Sequence, residues 1–284
     1  MSNDLLIDSR EGVTTITFNR PDQRNALDYN GWVRLRQIAN DLSSDCYTKV
    51  VVLTGYGDRA FSSGADIKDF SAHRNNSKSA KEYAVAFDGA MDAVASIRKP
   101  TISLIKGFCI GGGCELSLAT DIRIAAENAK FGIPVARLGI LVGYKEMRRL
   151  VNLVGPGNAS YILLSGRILD AKTAVRMGLV NSVVSISETD RTVYDLAKEM
   201  SKLAPLSHSG HKKIMGTVLN NPSLNKMTEN EEHLPFSVFD THNFASCVEF
   251  SKSGLSSDTI WGKCREKVSF AGGCWVQAVA GCWR

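Results

Sequence analysis

Residues 106–116 read KGFCIGGGCEL, and residues 61–68 read FSSGADIK. Each of these two loops follows a strand-like run of apolar residues and leads into a helix-like run. The first backbone N–H groups of a helix have no partner within it, and glycine lets another group approach closely. Two such N–H groups aimed at one oxygen atom would form an oxyanion hole. We therefore expect the N–H groups of Ala65 and Gly112 to be the donors, with Glu115 facing the same space.

Other interpretations of these glycine loops are open at this point. Either loop alone could be a plain tight turn, because glycine is common where the backbone needs a positive φ. A nucleotide-phosphate loop is not supported, because no Lys-Ser/Thr pair follows the glycines and the GxGxxG pattern is absent.

Strand-like and helix-like segments alternate on both sides of the two loops. Strands are predicted at 13–18, 50–54, 101–105 and 121–126, and helices with one apolar face at 32–42 and 79–97. This alternation is typical of an α/β architecture. After about residue 187 the strand signal fades, and helices are predicted at 188–203, 208–220 and 224–234. We expect an α/β core over residues 1–203 and a helical C-terminal oligomerisation region over 204–250.

The composition of the 284 residues sets further limits. With 44% hydrophobic residues the chain can bury a large core, which excludes a disordered or collagen-like class. No run of eighteen apolar residues is present and the start lacks an apolar signal segment, so we expect no membrane partner and a cytoplasmic location. The histidine spacing predicts no metal site; His208 and His211 are expected on a polar helix surface.

The last 34 residues differ from the rest of the chain. Residues 251–284 carry +3 of the net charge of +5, together with three of the four Trp and three of the seven Cys. We interpret them as an atypical extension. The remaining body carries only +2 and has no aromatic-rich RNA motif, so no nucleic-acid partner is expected.

The order of the motifs resembles the crotonase family, also called the enoyl-CoA hydratase/isomerase family. Besides the two loops, the chain has NRP at 19–21, NAL at 25–27, FGIP at 131–134 and DA…GLV over 170–180, and the resemblance covers about residues 5–245. It implies a crotonase-type spiral of repeated ββα units, acyl-CoA thioester substrates and an enolate-type transition state. It also implies a homotrimer or dimer of trimers, with coenzyme A as part of the substrate and no separate cofactor.

The resemblance also assigns roles to individual residues. Ala65 and Gly112 match the positions whose N–H groups bind the thioester oxygen, and Glu115 matches a catalytic glutamate. The residues implied to bind the substrate, including its CoA portion, are Arg24, Ala26, Ala65, Asp66, Ile67, Lys68, Gly112, Val135 and Tyr144. Basic side chains suit phosphate groups, although a solvated surface charge explains Arg24 or Lys68 equally well. Asp66 fits a helix cap better than an acid.

One position departs from the hydratase pattern. In family hydratases a second glutamate follows the proline of the FGxP motif, where this chain has Val135. Hydration uses one carboxylate to hold water and a second to share the positioning and the α-carbon proton. The expected function is therefore that of an enoyl-CoA hydratase/isomerase-like lyase or isomerase, with the exact reaction open.

Three questions follow from the missing second glutamate. The chain could be an acyl-CoA decarboxylase resembling the methylmalonyl-CoA decarboxylases, in which a tyrosine is typical at the place where this chain has Val142, two residues before Tyr144. It could also be a non-catalytic acyl-CoA-binding relative. Glu146 could stand in for the missing acid, but its place at a helix start predicts an exposed glutamate favoured by the helix dipole.

Overall fold

The computed structural model describes residues 4–241 and Phe244. The strands of this part of the chain are β1 (Leu5–Arg10), β2 (Val13–Phe18), β3 (Val50–Gly55), β4 (Ala60–Ser62), β5 (Thr101–Ile105), β6 (Phe108–Ile110), β7 (Ile122–Ala126), β8 (Lys130–Gly132), β9 (Leu169–Asp170) and β10 (Ser182–Val184). Its helices are α1 (Tyr29–Ser44), α2 (Phe70–His73), α3 (Ser77–Ala95), α4 (Gly112–Ser117), α5 (Tyr144–Ser165), α6 (Ala171–Arg176), α7 (Ile186–Ser201), α8 (Pro205–Asn220) and α9 (Glu229–His233).

The strands form two sheets that the chain visits in turn. The larger sheet has the order β1-β2-β3-β5-β7-β10, and the smaller sheet has the order β4-β6-β8-β9. Strands β3, β5 and β7 belong to the larger sheet, and each is followed by a strand of the smaller sheet and then by helical structure. The repeated ββα unit of the expected spiral is thereby confirmed. Pairing is parallel except between β1 and β2 and between β8 and β9.

Strand β3 explains why the larger sheet is apolar on both faces. Its sequence is VVVLTG, and successive side chains point to opposite faces of a strand. Val51 and Leu53 join the main core with α1 and α3, whereas Val50 and Val52 pack with residues of α7. Helices thus cover both faces of the sheet, as they do in most parallel sheets.

Helices α1 and α3 are held together by a buried polar contact. The indole Nε1 of Trp32 donates a hydrogen bond of 2.9 Å to the hydroxyl of Tyr83. The N-cap of α1 is Asp28, which accepts from the N–H of Gly31, and Asn76 forms a capping box at the start of α3. These contacts set the position of α3 beside the loop that follows β6.

The structure adjusts several predicted boundaries for local reasons. Helix α3 starts at Ser77 because Asn76 caps it, and α8 starts at Pro205, which suits the first turn of a helix. The helix predicted at 224–234 shortens to Glu229–His233, since its N-cap is Thr228. Strand β1 was not predicted: it is an edge strand with four exposed residues. The extension at 251–284 lies outside the described residues, and the domain boundaries remain predictions.

Candidate active site

The two glycine loops, which follow β4 and β6, are in contact with each other. Gly64 has a φ of +87°, and a Cβ added there would lie 2.5 Å from the backbone N of Gly112. No side chain fits at that distance, so glycine is required for the loops to touch. A Cβ added at Gly112 would lie 3.4 Å from the backbone N of Ala65. The backbones of Ala65 and Gly112, which the sequence paired, are therefore neighbours in space.

Both expected donors are without a hydrogen bond. In the described part of the chain, neither the N–H of Ala65 nor that of Gly112 has an acceptor. Their neighbours are fixed: Leu27 N–H donates to Gly64 O at 2.8 Å, and Gly111 N–H donates to Gly132 O at 2.8 Å. The surrounding bonds hold the two loops in place and leave two N–H groups able to bind one oxygen atom, as an oxyanion hole requires.

Glu115 lies on α4, three residues beyond Gly112, and is only 5% exposed. Its carboxyl group makes no hydrogen bond to any residue that the structure describes. Burial, then the negative charges of Glu146 and Asp88, raise the pKa of Glu115 to about 8, while Arg74 acts in the opposite direction. At neutral pH the group therefore carries a proton that it can give to a reacting atom.

Glu146 contradicts the expectation of an exposed helix-start glutamate, because only 1% of it is exposed. The reason lies in the register of α5. Glu146, Leu150 and Val154 recur at four-residue spacing and are all buried, so they share the inward face of the helix. Arg149 Nη1 donates to Glu146 Oε1 at 3.0 Å, whereas Oε2 is buried without a partner among the described residues.

Two further charged residues of this site were missed from the sequence. Asp88 on α3 is half-buried, and burial followed by the charge of Glu146 raises its pKa. Arg74 lies over the rings of Phe70 and Tyr83, at 4.8 and 4.6 Å from the ring centres.

The spacing of the charged residues on α3 and α5 could have revealed from the sequence that these two helices are in contact. Asp88 and Asp92 are four residues apart on α3, and Lys145 and Arg149 are four apart on α5. Both basic residues form ion pairs with Asp92. Such matched spacing on two helices indicates faces that meet.

The segments expected near CoA lie side by side. The N–H of Ser63 donates to Arg24 O at 3.0 Å, which joins residues 24–27 to residues 63–66. Ala26 is buried, whereas Ile67 and Lys68 are exposed. The exposed Arg24 has a φ of +52° and its guanidinium lies 5.0 Å from the centre of the Phe108 ring. The structure thus places two cations, Arg24 and Lys68, on exposed positions of adjoining segments.

Asp66 has the structural role that its sequence position suggested. Its carboxylate caps the short turn Ile67–Asp69 by accepting from the N–H of Lys68 at 3.1 Å. It also pairs with Arg20 at 3.0 Å. Both contacts occupy the carboxylate and stabilise the loop that carries Ala65.

Val135 and Tyr144 have contrasting surroundings. Val135 begins a short turn, Val135–Leu138, and packs against the main core. Tyr144 begins α5 with 97% of its surface exposed, so the structure does not bring it into the buried carboxyl cluster. Cys109 and Cys114, beside the glycines, are buried free thiols.

Comparison with known proteins places the whole body of the chain in one family. The family model described as Enoyl-CoA hydratase/isomerase matches residues 8–252. The chain is 33% identical to the Short-chain-enoyl-CoA hydratase of Clostridium acetobutylicum over 205 residues, which is 72% of this chain and 78% of that protein. It is 34% identical to the Crotonyl-CoA hydratase of Syntrophomonas wolfei over 200 residues, 70% of this chain and 74% of that protein.

A solved structure agrees with these relatives. The crystal structure of an enoyl-CoA hydratase/carnithine racemase from Magnetospirillum magneticum superposes with a TM-score of 0.85 at 34% identity, covering 89% of this chain and 94% of that one. Across the described residues, no helix is both long and apolar enough to cross a membrane. The fold, the glycine-loop geometry and the similarity over residues 8–252 agree, and the chain belongs to the enoyl-CoA hydratase/isomerase family.

Proposed function

We propose that the site converts a 2-enoyl-CoA thioester through an enolate held by the N–H groups of Ala65 and Gly112. Family membership gives the chain an enoyl-CoA hydratase/isomerase-like function. We further propose which residues carry out this function. The observation that supports it best is the adjacency of two N–H groups without acceptors at the loop junction beside Gly64.

Glu115 is the proposed proton donor and acceptor of the reaction. As negative charge moves onto the thioester oxygen, the α-carbon becomes able to take a proton. The proton on Glu115 is available at neutral pH because the pKa of that group is raised to about 8. In the reverse direction, the ionised Glu115 removes the α-proton and the two N–H groups stabilise the resulting enolate.

The proposed substrate is a short acyl-CoA. Among the relatives are proteins named Short-chain-enoyl-CoA hydratase and Crotonyl-CoA hydratase, which supports a short 2-enoyl chain. The exposed cations Arg24 and Lys68 suit the phosphate groups of CoA. Coenzyme A is then part of the substrate, and no separate cofactor is proposed.

The oligomeric state and the cellular location of the chain are also proposals. The family resemblance supports a homotrimer or a dimer of trimers, which light scattering on the purified chain would test by giving three or six times the mass of one chain. A cytoplasmic location stays a prediction.

A panel of CoA thioesters tests the reaction type. We expect the wild-type enzyme to hydrate or isomerise crotonyl-CoA and its near homologues, measured by the loss of enoyl absorbance and by mass spectrometry of the products. Decarboxylation of malonyl-type thioesters in place of enoyl turnover would favour the decarboxylase alternative. Binding without turnover of any thioester would contradict the proposed function.

A further inference from the structure

The Oε2 atom of Glu146 is a buried polar atom for which the fold provides no partner among the described residues. Buried carboxylate oxygens are hydrogen-bonded in most proteins, because leaving one unpaired is energetically costly. An ion-pair role alone would not explain this atom, since Arg149 contacts only Oε1. The unpaired oxygen therefore indicates a group that is kept ready for a ligand.

The other oxygen of the Glu146 carboxylate, Oε1, is held by Arg149. Arg149 Nη1 donates to Oε1 at 3.0 Å, and Arg149 Nη2 donates to Asp92 Oδ1 on α3 at 2.6 Å. A Cβ added at Gly143 would lie 2.6 Å from Oε2, so this oxygen rests against the backbone that precedes α5. Fixing one oxygen and leaving the other unpaired is the arrangement expected of an oriented acid or base.

Glu146 also acts on the proposed proton donor. Its charge is the second cause, after burial, of the raised pKa of both Glu115 and Asp88. Glu115, Glu146 and Asp88 are therefore close enough to one another to interact electrostatically. Arg74 faces Glu115, and Lys145 and Arg149 face Asp88.

We infer that Glu146 is the second acid/base residue of this enzyme and takes the place of the family glutamate that Val135 replaces. The inference rests on the proposed function, since it assigns a partner to Glu115 at the same site. It also favours hydration over the other reactions, because a second carboxylate is what the addition of water requires.

The two carboxyl groups divide the reaction between them. Water adds through its oxygen to the β-carbon, and Oε2 of Glu146 takes the proton that the water loses. The electron pair of the double bond moves to the thioester oxygen, where the N–H groups of Ala65 and Gly112 hold it. The enolate then takes the proton of Glu115 at the α-carbon, and a solvent water returns the proton from Glu146 to Glu115.

Glu115 holds its proton at neutral pH, because burial and nearby like charges raise its pKa to about 8. Glu146 has one oxygen fixed by Arg149 and the other without a partner among the described residues, so Oε2 is placed to accept the proton that water loses.

The test compares two reactions of the same variants. One is hydration of crotonyl-CoA over a range of pH, and the other is exchange of the α-protons of butanoyl-CoA with deuterated water, which needs Glu115 and the oxyanion hole but no added water nucleophile. For Glu146→Gln we expect kcat for hydration to fall about 10²-fold or more. The α-proton exchange should persist, and Glu146→Asp should restore part of the hydration.

Further variants keep the inference testable if Glu146→Gln folds poorly. Gly143→Ala keeps both carboxyl groups in the chain but adds a methyl group 2.6 Å from Oε2, which forces that oxygen to move, and it should lower hydration more than exchange. Glu188→Gln, which removes a partly exposed glutamate from a helical pair with Arg191, is the matched control and should change neither reaction. Asp88→Asn tests the half-buried carboxylate of α3 as the competing second acid.

Each outcome has a distinct meaning. Hydration lost with exchange retained supports Glu146 as the base for water. Equal loss of both reactions would make Glu146 a positioning residue, and unchanged hydration, or loss in Asp88→Asn instead, would overturn the inference. A wild-type enzyme that turns over no enoyl-CoA would overturn the proposed function itself.

Discussion

At the scale of single residues, the site depends on buried carboxyl groups. Glu115 is nearly enclosed and faces two like charges, Glu146 and Asp88, against one cation, Arg74. Burial and like charges both favour the protonated form of a carboxyl group. The surroundings of Glu115 must therefore make the stability of the folded state sensitive to pH.

Glu115→Gln tests this sensitivity. The folded-state pKa of Glu115 is raised from 4.5 to about 8, so the folded protein holds this proton more tightly than the unfolded chain does. The free energy of unfolding of the wild type should fall as pH rises from about 4.5 to 8, whereas the glutamine variant lacks this contribution. The difference should reach on the order of a few kcal/mol at pH 9.

Urea denaturation of both proteins at pH 5, 7 and 9 measures this effect. The glutamine variant should match the wild type near pH 5 and exceed it at pH 9. A difference that does not change with pH would show that Glu115 is not a buried acid.

At the scale of elements, the site is assembled by α3, α4 and α5. Helix α4 carries Glu115, α5 carries Glu146, and α3 carries Asp88 together with Phe87, whose ring lies against Gly112. Helix α3 is in turn tied to α1 by the buried hydrogen bond between Trp32 and Tyr83. We expect a change in that contact to act first on the stability of the packing between α1 and α3.

Tyr83→Phe tests whether the hydrogen bond between Trp32 and Tyr83 stabilises the folded protein. The substitution keeps the ring under Arg74 but removes the acceptor of the Trp32 N–H, which is buried. Leaving that donor unpaired should lower the free energy of unfolding by about 1–3 kcal/mol. Tyr56→Phe, at an exposed tyrosine, is the control and should change it by less than about 0.5 kcal/mol. Equal effects of the two substitutions in urea denaturation would argue against the contact.

Some parts of this arrangement could be predicted from the sequence, whereas others depend on how distant elements pack. The meeting of the two glycine loops could be predicted because its requirement is local: Gly64 must be glycine for its backbone to approach that of Gly112, and a side chain at Gly112 would meet the Phe87 ring. The burial of Glu146 could not, because it depends on how α5 docks on α3 through Arg149 and Asp92. The edge strand β1 was missed because most of its residues face solvent and show no apolar alternation.

At the scale of the whole molecule, repeated ββα units bring distant loops together. Strands β4 and β6 are neighbours in the small sheet, so the loops that follow them lie at the same edge. The family match ends at residue 252, which agrees with the change in composition at 251–284. Glu115, Ala65 and Gly112 all lie within the part of the chain that the family model matches.

The most direct test of this account is the rate of crotonyl-CoA turnover by the wild type and by Glu115→Gln, with both proteins shown to be folded by circular dichroism. The account predicts measurable wild-type turnover and a fall in kcat of about 10²-fold or more in the variant, because the amide cannot transfer a proton. Equal turnover by the two proteins would contradict it.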